Sequence, residues 1–563
     1  MKNFKYILVV LILAITIQAK AQKDFTIKQI QYKIPVLMQK TNNPALELEF
    51  LNNTKEEATI QEVRITLKGT TKLSDIEAIR LFVTNKEGDF SSAKQFGKQL
   101  SPVNEVIFND ELKFSGKIYL WVSVQLSKNA SLTNKVLVRC SSALINSKPV
   151  ETEEYDRLNK LRLGIALRQS EDDGVNTYRI PGLTTTKNGT LLAIYDVRRE
   201  SNKDLQGNID IGLSRSIDGG NTWEPMRIVL DMGTWGGLPE KFNGVSDANI
   251  LVDETNNNIY VFGLWMHGVL NKDGKFIEGL SEKSTEWEHQ WKDKGSQPGY
   301  GVKETSQVIY SISKDDGKTW SEPINITKMG KKKEWWLWAP APGHGITLKD
   351  GTLVFPSQGR DNNGESFSNI CYSKDGGKTW QTSNPAYYNT SENTVVQLTD
   401  GSIMLNMRHN GNRNNESDNN GRAIAITKDL GNTWIEHSSS RNALIEPTCM
   451  ASLHKHEYTE NGVKKSILLF SNPNSKVRRN NLTIKVSFDE GRTWPKEYWT
   501  LLDQLNSRGY SCITSIDEKT IGILFEGSQS QLTFMKFPLG DLLKTSRKSV
   551  SKGNDKAQAK KNK

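Results

Sequence analysis

One octet is written five times in this chain: SIDGGNTW at 216–223, SKDDGKTW at 313–320, SKDGGKTW at 373–380, TKDLGNTW at 427–434 and SFDEGRTW at 487–494. A catalytic group is needed once per site, so repeated copies point to architecture before chemistry. Within each copy the Asp is a residue that hydrogen-bonds backbone N–H groups two residues on, and the Gly accepts the positive φ of a tight turn. Asp218, Gly220 and Thr222 therefore read as turn residues, and Trp223 as a ring packed on the hairpin that the turn closes.

A second pattern runs between the octets, in which an apolar-alternating run meets a short turn and then another such run. It occurs as YRIPGLTTTKNGTLLAIYDVR, SDANILVDETNNNIYVFGLW, APGHGITLKDGTLVFPSQGR, SENTVVQLTDGSIMLNMR, TCMASLHKHEYTENGVKKSILLFSNP and YSCITSIDEKTIGILFEG. Each is a β-hairpin by period and turn chemistry. The first five are followed by an octet and the sixth runs out into QLTFMKFPL. Six units of about four antiparallel strands predict an all-β chain with a six-bladed β-propeller over residues 156–542. The second unit carries an insertion near 265–304 that is rich in Trp, Gly and charge. Residues 22–155 alternate without the octet, as in FTIKQIQYKI, ATIQEVRITL and KIYLWVSVQL. They predict a separate preceding β-sandwich, a candidate carbohydrate-binding module, linked through ETEEYDRLNK and dispensable for chemistry.

The chain begins MKNFKYILVVLILAITIQAKAQ, which reads as a signal peptide over residues 1–21 and predicts an exported protein, periplasmic, surface-held or secreted. Its apolar run is short for a membrane span, and no other stretch approaches the required length. The net charge of +10 invites a nucleic-acid reading, but three lysines lie in the leader. Eight more basic residues, against two acidic ones, lie from Asp541 onward, in and beside a basic tail (543–563) read as disordered, which leaves about +1 for the body. No nucleic-acid partner is expected. Cys140, Cys371, Cys449 and Cys512 follow no metal-ligand spacing and read as buried thiols, with pairing of some of them the alternative in an exported chain. No metal or cofactor is expected, and the chain is expected to be a monomer.

Chain direction then says where chemistry can sit. The start of the first strand of a hairpin and the end of the second share one edge, while an octet between strands three and four turns at the opposite edge. Arg179, Asp247, Glu392 and Tyr510 open hairpins; Arg198, Arg408, Arg479 and Glu526 close them or follow just after. Any one of these is more often a surface charge or rim aromatic. Together they would crowd one mouth of the propeller.

At this point the sequence resembles a known family. The octets are Asp-boxes, Arg179-Ile180-Pro181 forms an RIP motif, and residues from about 160 to 540 resemble the bacterial exo-α-sialidases, or neuraminidases. The preceding segment resembles the β-rich modules that precede sialidase domains in Bacteroidetes-type enzymes. The resemblance implies release of terminal sialic acid from glycoproteins, glycolipids and oligosaccharides, with retention of configuration. It implies an arginine triad of Arg179, Arg408 and Arg479 that grips the sugar carboxylate, with Arg478 the alternative for the third member. It implies Tyr510 as nucleophile, Glu392 as its partner and Glu526 as the acid orienting Arg179. Asp204 is implied as acid/base, with Asp210 as fallback, and Arg198 and Asp247 as further sugar contacts. Planar guanidinium forks suit a carboxylate. A phenol, neutral until it attacks, avoids the repulsion that a carboxylate nucleophile would meet at an anomeric carbon bearing its own negative charge. Three readings stay open beside hydrolysis: a trans-sialidase, a non-catalytic sialic-acid-binding propeller, and an Asp-box glycosidase that acts on a neutral glycan with two carboxylates.

Overall fold

The structure, a computed structural model, describes residues 23–152, 158–287 and 296–544. The expected signal peptide, nearly all of the basic tail and half of the linker segment lie outside the described residues. Among those described, no helix is long and apolar enough to cross a membrane, and the four cysteines are free and buried.

The chain is all-β. From Thr177 onward six sheets follow one another, their main strands antiparallel and in chain order, with the short Gly343–His344 added parallel to Asn249–Ile250 in the second. The first consists of Thr177–Thr185, Leu191–Arg198, Ile209–Ser216 and Arg227–Leu230. The second, fourth, fifth and sixth sheets open with Val245–Val252, Thr390–Gln397, Ser452–Glu460 and Ser511–Asp517. In the third the opening strand is split into Leu337–Pro340 and Ile346–Thr347, both paired with Leu353–Arg360. The opening segments touch in sequence and return to the first, which closes a ring.

The sixth sheet departs from the sequence reading. Its chain-order strands Ser511–Asp517, Thr520–Phe525 and Leu532–Pro538 lack a fourth, and Leu161–Arg168 fills the place, with Ile165 opposite Phe534. Leu161, Leu163, Ile165 and Leu167 alternate with smaller or polar neighbours, so one face of this strand is apolar and buried. A strand from the start of the ring thus completes its end.

The N-terminal segment has two sheets of its own. One orders Phe25–Ile30, Asn43–Asn52, Lys117–Leu126, Ile76–Thr84 and Lys94–Leu100; the other is built on Ala58–Thr66 and Arg139–Ile145. It is not separate from the ring. Val36–Met38 runs parallel to Leu163–Ile165 and Lys135–Val136 pairs with Leu161–Arg162, which continues the sixth sheet outward. Val36, Met38 and Val136 share one apolar core with Leu163, Ile165, Leu183 and Phe534. Lys135 and Arg162 both pair with Asp541 at 2.8 Å.

The octets lie at the edge where strands three and four turn. In all five the first residue's hydroxyl donates to the Asp and accepts the N–H of the Gly, as in Ser373 with Asp375 (2.8 Å) and Gly377 (2.9 Å). The Asp accepts from the Thr four residues on, through both N–H (2.9 Å) and hydroxyl (2.7 Å) for Thr379. This capping reaches further along the chain than the two-residue turn expected. Several octets also join neighbours. Trp380 packs against Phe262 and Tyr260 of the preceding sheet as well as Phe355 of its own, and Trp223 meets Phe534 of the sixth sheet at 5.0 Å. Gly220 and Gly377 take positive φ and face Phe534 and Tyr260 so closely that a Cβ would collide with either ring. The turns therefore staple sheet to sheet.

Candidate active site

At the opposite edge, three opening strands break register at equivalent places: between Arg179 and Gly182, Ser246 and Asn249, and Thr390 and Asn393. An extra residue in a strand re-aims the side chains beside it. Here the breaks fall at Arg179, Asp247 and Glu392. Ile180 and Asp247 sit at φ 59° and 56°, a left-handed conformation that is costly for a β-branched residue. The surroundings hold Ile180 there, since its N–H donates to Glu526 at 3.1 Å and its side chain packs with Cys449, Met450 and Tyr510.

A cavity of about 480 Å³ opens between these strands, and Arg179, Asp204, Asp247, Glu392, Arg408, Arg479 and Tyr510 all line it. Tyr510 is its floor, 5% exposed. Its phenol donates a hydrogen bond to Glu392, and Arg408 donates both to Glu392 and, at 3.1 Å, to the phenol oxygen. The guanidiniums of Arg179 and Arg479 lie 5.3 and 5.6 Å from the centre of the tyrosine ring. Three arginines from three sheets thus surround one phenol. Glu526, buried behind them, accepts from Arg179 Nε (3.0 Å) and from the N–H of Tyr510 (3.0 Å), tying two of these groups to one carboxylate.

Burial, and after it the Glu392 carboxylate, push the Tyr510 phenol well above its ordinary value despite Arg408 and Arg479. Tyr510 is protonated at neutral pH and needs a base to ionise. Burial also raises Asp204, but Arg198, Arg179 and Arg508 outweigh it and hold this carboxyl below the usual range. Asp204 lies 2.7 Å from Arg198 and 3.7 Å from Arg179, with 55% of its side chain exposed. Burial, then Glu392, Asp196 and Asp204, push Asp247 well above the ordinary aspartate range. In Glu526 burial is again opposed, and Arg179 with the two backbone N–H groups keeps it low.

The remaining sequence candidates fall elsewhere. Arg198 is 1% exposed and lies behind the cavity, where its guanidinium holds Asp196, Asp204 and the carbonyls of Asn202 and Lys203. Its Nη1 holds the Asp204 loop and its Nε and Nη2 hold Asp196, and Arg198 is not among the residues that line the cavity. Arg478 is exposed, whereas Arg479 turns inward to the carbonyls of Thr448 and Arg508 (3.1 and 3.0 Å). Asp210 pairs with Arg199 at 2.6 Å, away from the cavity.

Two carboxylates were not foreseen. Asp196, fully buried, accepts from Arg198 and from Ser246 (2.7 Å). Glu446, also fully buried, accepts from the His409 N–H, Asn412 and Arg422 (2.7, 2.7 and 2.6 Å), which anchors the strand end bearing Arg408. The signal for Asp196 is a charge inside an apolar strand two residues before an arginine. For Glu446 the sequence carries none, because its partners lie up to 37 residues away.

A mouth of this kind, with several arginines around a buried tyrosine on a ring of β-sheets stapled by Asp-boxes, suits a small anionic ligand. Comparison with known proteins agrees. Residues 180–504 match the BNR repeat-like domain, and residues 22–149 match the N-terminal domain of BNR-repeat neuraminidase. The chain is 41% identical to a sialidase of Bacteroides fragilis over 540 residues, 91% of this chain and 94% of that one. A sialidase of Paraclostridium sordellii is 28% identical over 367 residues, 62% of this chain and 81% of that one. The solved structure of the Hadza microbial sialidase Hz136 is 37% identical, with a TM-score of 0.82, over 91% of this chain and 99% of that one. The chain belongs to the BNR-repeat neuraminidases, the sialidase family of glycosidases.

Proposed function

We propose that the enzyme is an exo-α-sialidase that hydrolyses terminal sialic acid from glycoproteins, glycolipids and oligosaccharides through a tyrosyl-sugar intermediate. The observation that carries this reading is the Tyr510 phenol bonded to Glu392 within three guanidiniums. Most retaining glycosidases attack with a carboxylate, and sialidases with tyrosine are a known exception. Arg179, Arg408 and Arg479 bind the carboxylate of the sugar and set its anomeric carbon over Tyr510. Glu392 takes the phenolic proton as the oxygen attacks, and Asp204 protonates the departing glycosidic oxygen. Asp204 then removes a proton from water, whose oxygen displaces the tyrosine, and Glu392 returns the proton to the phenolate. Asp247 contacts the sugar ring from the cavity wall, while Arg198 acts by positioning Asp204. The signal-peptide reading of residues 1–21 supports export, and the enzyme works as a monomer.

Arming of Asp204 is part of the same scheme. In the free enzyme the arginines hold it ionised; a substrate carboxylate laid on Arg179 offsets that field and raises its proton affinity where an acid is required. Replacement of Tyr510 by Phe removes one oxygen and keeps the ring. Turnover of natural sialosides should fall by several powers of ten, well beyond the roughly 1 kcal/mol of an ordinary hydrogen bond. With a 3-fluorosialosyl fluoride, peptide mapping of the wild type should place the adduct on Tyr510. Near-normal turnover in Tyr510→Phe, or an adduct on Glu392, would overturn the mechanism.

A further inference from the structure

Three consecutive residues of the loop after the first hairpin face three different spaces. Asp204 lines the mouth, Lys203 lines a cleft of about 320 Å³ toward Trp287, and Asn202 lines a cleft of about 850 Å³ between the first and sixth sheets. Both clefts adjoin the loop that carries Asp204, beside which a leaving glycan would lie. The larger one adjoins the mouth, with Arg179 in the walls of both, while the smaller one shares no residue with the mouth. In the smaller cleft, moreover, the Trp287 ring is already covered by the Lys203 ammonium at 4.8 Å.

The larger cleft is also chemically suited to sugars. Asn202, Asn506, Ser507 and Arg508 line it, and no side chain of the four is engaged in a hydrogen bond among the described residues. Their backbones are fixed by the mouth itself. Arg198 donates to the Asn202 carbonyl (3.1 Å), and Arg479 both donates to the Arg508 carbonyl (3.0 Å) and accepts the Ser507 N–H (2.9 Å). Amides and a hydroxyl both donate and accept, as sugar hydroxyls do, and a guanidinium bridges vicinal hydroxyls.

Resting on the sialidase reading, we infer that this cleft is the subsite for the leaving glycan. It takes the neutral, hydroxyl-rich sugars next to the sialic acid, with Asn506 and Arg508 as specificity-determining residues. The groups that orient the sialic acid thereby also hold the loop that reads its neighbour.

The test compares two substrates in the full-length enzyme. Asn506→Ala and Arg508→Ala change exposed side chains and should fold normally, which thermal melting checks. On 3′-sialyllactose each variant should lose about tenfold in kcat/KM, the scale of one or two hydrogen bonds. On an aryl sialoside, which lacks the neutral sugars, Asn506→Ala should stay within about twofold of the wild type, whereas Arg508→Ala, whose charge also lowers Asp204, is judged by its loss on 3′-sialyllactose being several-fold larger than its loss on the aryl substrate. Equal losses on both substrates, or no loss on either, would overturn the subsite while the sialidase reading stands. A wild type that frees sialic acid from neither substrate would overturn both.

Discussion

Removal of the N-terminal segment tests how the ring is held shut. A chain starting at Leu158 keeps every residue of the mouth and every octet, and a modular reading expects it to fold and work. The structure argues otherwise. Such a chain loses Val36–Met38 and Lys135–Val136, the strands paired with Leu161–Arg168 on the side away from the ring. It also uncovers Leu161, Leu163, Ile165 and Leu167, each 4% exposed or less. Full burial of such a side chain is worth roughly 1.5–3 kcal/mol, so if the missing segment supplies half the cover, four of them lose roughly 3–6 kcal/mol. That is a large share of the roughly 5–15 kcal/mol by which a folded domain is stable. The freed edge of Leu161–Arg168 would in addition offer unpaired backbone to other chains. Differential scanning calorimetry of the shortened and full-length proteins should show a fall in the unfolding midpoint on the order of 10 °C, with aggregation on heating. A shortened enzyme that melts within about 2 °C of the full chain would refute the reasoning.

Other outcomes follow from the same contacts. Arg479→Ala should weaken calorimetric binding of a planar unsaturated sialic acid analogue by roughly 2–5 kcal/mol, the range for truncating one partner of a buried charge pair; unchanged affinity would remove it from the triad. Asp375→Ala should lower stability by about 1 kcal/mol at neutral pH without altering affinity for the analogue. Because the Thr379 hydroxyl and N–H pull Asp375 down to about 2, its contribution is complete above the unfolded value near 4 and is lost as pH falls through about 2. The difference between wild type and variant in thermal midpoint should therefore shrink toward pH 2. For Asp204 the alkaline limb of kcat should lie above that of kcat/KM, since bound substrate raises its pKa; coincident limbs would contradict the arming of Asp204 by substrate.

Much of this was legible in the sequence because the informative signals are local. An octet carries its own capping partners within four residues, and the edge on which Arg179, Glu392, Arg408 and Tyr510 lie follows from strand direction alone. The places where reading failed depend on partners distant in the chain. Leu161–Arg168 looks like any half-buried strand, and nothing near it says that its neighbour is Leu532–Pro538. The tryptophans advertise burial but not which sheet covers them, so packing of Trp380 on Phe262 was invisible. Arg198, implied as a sugar contact by the resemblance alone, is the local exception: the buried Asp196 two residues before it holds the side chain behind the cavity.

The strand Leu161–Arg168 also sets an order of events. During synthesis it emerges early, yet its partner around Leu532 follows roughly 360 residues later, a wait of roughly 20–70 s at 5–20 residues per second. Throughout that interval the edge of the strand is already paired with the N-terminal sheets made just before it, through Val36–Met38 and Lys135–Val136. The segment that contributes no residue to the mouth can in this way act as an internal chaperone, keeping the clasp of the ring in register until the last sheet arrives to meet it.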